Sequence, residues 1–289
     1  MLVKWKGVMP KIMGLHRKNT NNIGDLMASP LRYFSFPEAE VALFDILGWN
    51  EMEEQSEQRR SEWKEAFKQS DIIIIGGGGL LEINFFESSL RHVFTNRMPH
   101  QKVVLWGAGH NQWDVSDWRA LKKRIDWEKY PFDEVGVRDA GESKPWVPCP
   151  SCMANEIEYS SYDIKHDIVV YLTSDGIEYR PSWTESVSNV FPMLSNSVDF
   201  TSVIEFLKSG ETVLTDSYHG VYWATLLGKK VVAFPSSSKF YSLKHPVPLC
   251  DPEDWRRYKQ LARCYVDALD ECRIANRAFY RRIENLLPT

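Results

Sequence analysis

No apolar run in the 289 residues approaches the ~20 needed to span a membrane, so no transmembrane segment is expected. The chain also lacks a basic excess. Its net charge of −4 gives no footprint for non-specific binding to nucleic acid. Cysteine is scarce and irregular: Cys149, Cys152, Cys250, Cys264 and Cys272, an odd number with no framework spacing. That pattern excludes a disulfide scaffold and predicts reduced thiols in a cytoplasmic protein. The first ten residues carry no signal-like apolar core. Cys149-Pro-Ser-Cys152 stands alone, with no second pair to complete a four-ligand zinc site. Pro148 and Pro150 beside it oppose the helix opening that a redox motif needs, so no metal is expected. Sequence repeats are absent.

What is present is a soluble composition, 43% hydrophobic and 26% charged. Eleven tryptophans are many; aromatics stack on sugar rings, though most serve a core. Strand and helix signals alternate. Lys11 to His16 reads as the first strand, and Leu26 to Phe34 as a helix interrupted or started at Pro30. The charged stretch from Glu51 to Gln69 reads as a solvated helix. The continuous β-branched run Ile72 to Ile75 predicts a buried parallel strand. Gly76 to Gly79 ends it, with helix expected from Leu80. Lys102 to Trp106 predicts the next strand, ended by Gly107-Ala-Gly109-His110, and Glu134 to Asp139 a short third. A Pro-, Ser- and Cys-rich stretch from Lys144 to Ser161 sets a boundary, giving units at 1–155 and 156–289. The second begins at Asp167 to Leu172, continues with a helix near Val198 to Ser209, and ends in a bent or double helix over Glu253 to Leu287. This order implies parallel sheets with helices on both faces.

The most informative stretch is Thr215-Asp216-Ser217-Tyr218-His219-Gly220. Only Val213 and Leu214 before it are apolar, poor material for a long strand. A short helix from Val221 and a strand at Val231 to Pro235 follow. A hydroxyl, a carboxylate and an imidazole thus crowd a strand-to-helix turn, where open α/β sheets bind ligands. The plainer alternative is that Asp216 and Ser217 cap a helix and His219 is a satisfied core histidine. Gly77, Gly78 and Gly79 sit at another strand end, where a nest of N–H groups could hold a phosphate or carboxylate. They form neither a P-loop nor a dinucleotide fingerprint. Gly107 and His110 close a neighbouring strand. Asn22-Ile23-Gly24-Asp25 precedes a helix that Asp25 could cap, or Asp25 could meet a hydroxyl-rich substrate. Arg138 at a third strand end suits a carboxylate or phosphate, or a surface ion pair. Lys239, Lys244 and His245 place positive charge beside the last strand.

Together, Asn22 to Asp25, the Ile72 to Gly79 strand and turn, Gly107 to Gly109, Val137-Arg138-Asp139 and Thr215 to Gly220 resemble the polysaccharide pyruvyl transferase family over about Lys11 to His245. Leu227 to Phe234 and Lys239 to Leu243 extend the resemblance. It implies two Rossmann-like domains facing a cleft, a GT-B-like fold. It implies transfer of a pyruvyl group from phosphoenolpyruvate to two hydroxyls of a glycan, forming a ketal without a cofactor. His219 matches the family's histidine, as general acid or anion contact. Arg138 matches its arginine, holding the donor's anionic end. Asn22, Gly24, Asp25, Gly77, Gly78, Gly79, Gly107, His110, Asp216, Ser217, Tyr218, Gly220 and Lys239 would line the pocket. Two departures stand out: Ser217 replaces an arginine of many members, and Cys149 a frequent aspartate. A nucleotide-sugar transferase on the same fold, with Thr173, Ser174 and Asp175 near the nucleotide, and a non-catalytic glycan-binding member remain open alternatives.

Overall fold

The computed structural model describes residues 9–50, 56–113, 124–158 and 163–288. Its first sheet is built from β1 (Lys11–His16), β2 (Glu40–Asp45), β3 (Ile72–Leu81), β4 (Lys102–His110) and β5 (Glu134–Val137). The helices between them are α1 (Ile23–Leu26), α2 (Glu57–Gln69) and α3 (Asn84–Asn96). All pairings are parallel, in the order β2-β1-β3-β4-β5. The second sheet contains β6 (His166–Leu172), β7 (Met193–Ser195), β8 (Gly210–Thr215) and β9 (Lys230–Ala233), parallel in the order β7-β6-β8-β9. Its helices are α4 (Ser174–Tyr179), α5 (Pro181–Ser188), α6 (Phe200–Ser209) and α7 (Tyr218–Leu226), followed by α8 (Trp255–Lys259) and α9 (Ala268–Glu284).

Both sheets are covered on both faces, which is why their strands read as continuous apolar runs. Successive side chains leave a strand on opposite faces. Ile73 and Ile75 pack with Trp63, Phe67 and Leu90 of α2 and α3, while Ile72 and Ile74 pack with Phe34, Phe279 and Ile283. The second sheet repeats the division. Val169, Tyr171 and Val213 meet α6 and α7; Val170, Leu172 and Leu214 meet Trp183 and Trp255. Helix α7 is buried at every position, which explains its lack of a polar face.

Several expectations need correction. Strands β3 and β4 run through their glycines to Leu81 and His110, because the β3–β4 ladder continues across Gly76, Gly78 and Gly79. Helix α3 therefore starts at Asn84, not Leu80. The Leu26 to Phe34 helix is instead the short α1, capped by Asn22, followed by a single 3₁₀ turn at Pro30–Arg32. Strand β8 is interior to its sheet despite two apolar residues, since Thr212 and Thr215 are also buried. Of the Glu51 to Gln69 helix, residues 51–55 lie outside the described part; Ser56 caps the rest. The C-terminal stretch is two helices, α8 and α9. Helix α9, assigned by sequence to the second unit, crosses back to the first sheet. Phe279 and Ile283 enter that core, and the Trp106 indole donates to Asn276 Oδ1 at 2.8 Å.

Candidate functional site

The two sheets aim the carboxyl ends of their strands at one cleft of about 830 Å3. From the first sheet come Asn22 after β1, Gly77 to Gly79 at the end of β3, Asn111 after β4 and Arg138 after β5. From the second come Thr173 after β6, Asn196 after β7, Asp216 to His219 after β8 and Lys239 after β9. This is where open parallel sheets bind ligands.

Helix α7 starts immediately after β8, and two hydroxyls fix that turn. Thr215 Oγ1 accepts from Ser217 N at 3.0 Å, and Ser217 Oγ accepts from Gly220 N at 3.2 Å as the helix cap. His219 consequently occupies the first turn, with its ring between α1 and the segment before Pro150. Any side chain at Gly24 would strike it, since a Cβ there would lie 2.1 Å from His219 Nδ1. On the other edge, Nε2 lies 3.5 Å from Cys149 Sγ. Burial pushes the His219 pKa well below its usual value, and the Arg138 and Lys239 charges push it the same way. The imidazole is therefore neutral at pH 7, without even the minor imidazolium fraction of an unperturbed histidine.

Arg138 is the strongest candidate for holding an anion. It is 3% exposed, and its guanidinium carbon lies 3.9 Å from the Tyr218 ring centroid. Its contact with the His110 carbonyl is at the 3.5 Å limit, and its buried Nε has no partner. No carboxylate among the described residues pairs with it. A fixed buried cation with unused donors is matched to an external carboxylate or phosphate. Lys239 shares the cleft. Burial and the Arg138 charge bring its pKa down to about 8, despite the opposing Asp25 and Asp216. Burial raises the Asp25 pKa, while Lys239 and Arg138 lower it. Asn22, not Asp25, caps α1, accepting from Gly24 N at 3.0 Å, which leaves the Asp25 carboxylate to the cleft. Gly77 has φ +64°, a conformation that suits glycine, and a Cβ there would lie 1.9 Å from the Ala28 carbonyl.

Asn22, Asp25, Gly77, Gly78, Gly79, Arg138, Asp216, Ser217, Tyr218, His219 and Lys239 thus come together around the cleft. Asp216 also braces the sheet: its carboxylate accepts from Thr173 N at 2.7 Å and Thr173 Oγ1 at 3.1 Å. Four expected residues are not on the cleft wall. Gly24 lies beneath His219. Gly107 abuts Pro148 and Pro150, and Gly220 packs against Thr215 and Tyr171. His110 is buried, its Nδ1 2.7 Å from Ser238 Oγ and its Nε2 2.9 Å from Ser242 Oγ. It fastens the segment that carries Lys239. Lys244 and His245 line a separate small hollow. Sequence reading missed Arg17, Asn196, Arg180, Phe85, Trp113 and Tyr179 as cleft residues. Arg17 follows the carboxyl end of β1 and Asn196 that of β7, a signal already present for Arg17 and available for Asn196 once β7 was recognised.

Fold and cleft place the chain among GT-B-like α/β proteins. The wall teichoic acid polymerase TagF with CDPG superposes with a TM-score of 0.50 at 11% identity, covering 96% of this chain and 88% of that one. An alpha-glucosyltransferase in complex with UDP and a 13-mer DNA containing a HMU base gives 0.45 at 10% identity, covering 96% and 93%. An uncharacterized protein from Klebsiella pneumoniae gives 0.42 at 17%, covering 78% and 84%. Such likeness is one of fold. The chain belongs to the polysaccharide pyruvyl transferase family, whose profile matches residues 22–238. No curated protein matches it. Among the described residues no helix is long and apolar enough to cross a membrane.

Proposed function

We propose that the protein transfers a pyruvyl group from phosphoenolpyruvate to two hydroxyls of a sugar, releasing phosphate and forming a ketal. The observation that carries this reading is Arg138: a buried guanidinium, unpaired by any carboxylate among the described residues, facing a cleft shared with Lys239. Family membership supports the same reaction.

The chemistry divides among these side chains. Arg138 holds one anionic end of the donor. Lys239, with a pKa near 8, is protonated at neutral pH and supplies the proton to the enol methylene. The first acceptor hydroxyl bonds to the enol carbon and loses its proton to Asp25. The second hydroxyl then bonds to the same carbon as the carbon–oxygen bond to phosphate breaks. Phosphate leaves with the bonding electrons and takes up the remaining proton. Neutral His219 serves as a hydrogen-bonding contact rather than as a cation.

The test is calorimetric titration with phosphoenolpyruvate, beside UDP- and GDP-sugars, repeated on Arg138→Ala. Saturable binding of phosphoenolpyruvate, weakened by at least about tenfold in the variant, supports the reading; one charged hydrogen-bonded contact is worth ~1.5–3 kcal/mol. Binding of a nucleotide sugar instead assigns the cleft to glycosyl transfer, with Thr173, Ser174 and Asp175 of the cleft wall near the nucleotide.

A further inference from the structure

Among the described residues four cations line the cleft: Arg17, Arg138, Arg180 and Lys239. They differ in how fully the protein itself uses them. Arg17 gives Nη1 to both oxygens of Asp45 at 3.0 Å. Arg138 lies flat on the Tyr218 ring, and Lys239 is carried by the segment that His110 fastens. Arg180 stands apart from all three. It joins α4 to α5, and its backbone is held there, because its carbonyl accepts from Thr184 N at 2.9 Å. Its side chain is 30% exposed, and its guanidinium makes no hydrogen bond to any described residue. Its ion-pair partner is Asp216, with Nη1 3.8 Å from Oδ2, too long for a hydrogen bond. That carboxylate already accepts from Thr173, so it draws the guanidinium toward the cleft without consuming its donors. Ser217, the next residue, caps α7 and brings no charge of its own.

We propose that Arg180 is the second anion anchor of the cleft, holding the donor's phosphate while Arg138 holds its carboxylate. This rests on reading the cleft as a phosphoenolpyruvate site. That donor carries two anionic groups on one small skeleton, a carboxylate on the enol carbon and a phosphate on the enol oxygen. Two guanidiniums from opposite sides of the cleft match them: Arg138 follows β5 of the first sheet, and Arg180 follows α4 of the second unit. Exposure assigns the ends. Arg138, 3% exposed, suits the carboxylate, which stays with the product. Phosphate is the leaving group and needs a route to water, which the more open Arg180 borders. A fork of N–H donors there fits phosphate oxygens and stabilises the charge that grows on them as the carbon–oxygen bond breaks.

The experiment titrates phosphoenolpyruvate, inorganic phosphate and pyruvate separately into the full chain and into Arg180→Gln and Arg180→Lys. Binding is read by calorimetry and ligand-observed NMR. In Arg180→Gln, phosphoenolpyruvate and inorganic phosphate are each expected to bind at least about tenfold more weakly, with any pyruvate binding unchanged within about twofold. Arg180→Lys keeps the charge without the fork and is expected to recover part of the loss. Phosphoenolpyruvate that binds the glutamine variant as tightly as the parent overturns the inference and leaves the donor reading standing. A loss shared equally by phosphate and pyruvate overturns it too, since it would mark a general effect on the cleft. Inorganic phosphate bound through Arg180 in a parent that does not bind phosphoenolpyruvate overturns the donor reading and leaves the anchor in place. A parent that binds neither overturns both.

Discussion

The Cys149 sulfur lies 3.5 Å from Nε2 of His219, the thiol fully buried and the imidazole on the wall of the cleft. Burial raises the thiol pKa, so no anion faces the ring. A carboxylate at position 149 would stabilise imidazolium. Cys149→Asp is therefore expected to move the His219 pKa upward. NMR titration of the imidazole Cε1 proton measures it. An unmoved or lowered pKa would show that desolvation dominates over the added charge.

Lys239 is expected to set an alkaline limit on the proposed reaction. Its pKa near 8 is a lowered value, so the amine loses its proton as pH rises through that range. If it delivers the proton to the donor, kcat should decline about tenfold per pH unit above ~8. Lys239→Arg keeps a cation at every accessible pH. Phosphoenolpyruvate should still bind to it at pH 9, while turnover falls by about 100-fold or more, the scale of a lost general acid. Turnover close to that of the parent in the arginine variant would remove Lys239 from proton transfer and leave it an anion contact.

The parts of the fold legible in the sequence were those fixed by continuous apolar runs, such as Ile72 to Ile75, whose two faces meet two cores. Strand β2 escaped notice because it is an edge strand with half-exposed residues, and β7 because it is three residues long. Strand β8 looked weak because threonines stand at its buried positions. Within the site, Arg138, Asp216 and His219 were visible as polar residues at strand ends. Asn22 and Asp25 exchanged capping roles because local pattern does not say which of two side chains reaches the free N–H groups. His110 misled for a tertiary reason: its partners Ser238 and Ser242 are more than 120 residues away, beyond any local signal. The path of α9 was hidden likewise, since an amphipathic helix does not declare which sheet it will cover.

That return of α9 has an energetic consequence. Phe279 is 2% exposed and meets Trp106 edge-on, with centroids 5.2 Å apart. Truncation to alanine leaves a cavity between the helix and the first sheet and should cost ~3–5 kcal/mol. Urea denaturation followed by tryptophan fluorescence measures it. A loss below ~1 kcal/mol would mean that α9 rests on the sheet without supporting it.

His110 is best understood as a positioning residue for Lys239. Burial drops its pKa to about 4, so the ring is neutral and offers one donor and one acceptor nitrogen. Ser238 engages one and Ser242 the other, on either side of Lys239. His110→Ala loosens this segment: Ser242 Oγ and Asp139 Oδ1 lose the ring, while Ser238 Oγ keeps only the Gln112 N–H. The Lys239 amine should then gain water, and its pKa should rise toward the ordinary lysine value, because desolvation is the chief cause of its depression. The alkaline limb of the kcat profile should move up by about one pH unit, with KM for phosphoenolpyruvate raised several-fold. His110→Gln, whose amide still supplies a donor and an acceptor, should restore part of both. A purely structural role would lower the yield of folded protein and leave the limb where it was. Movement of the limb in the alanine variant with partial return in glutamine therefore separates positioning from simple packing.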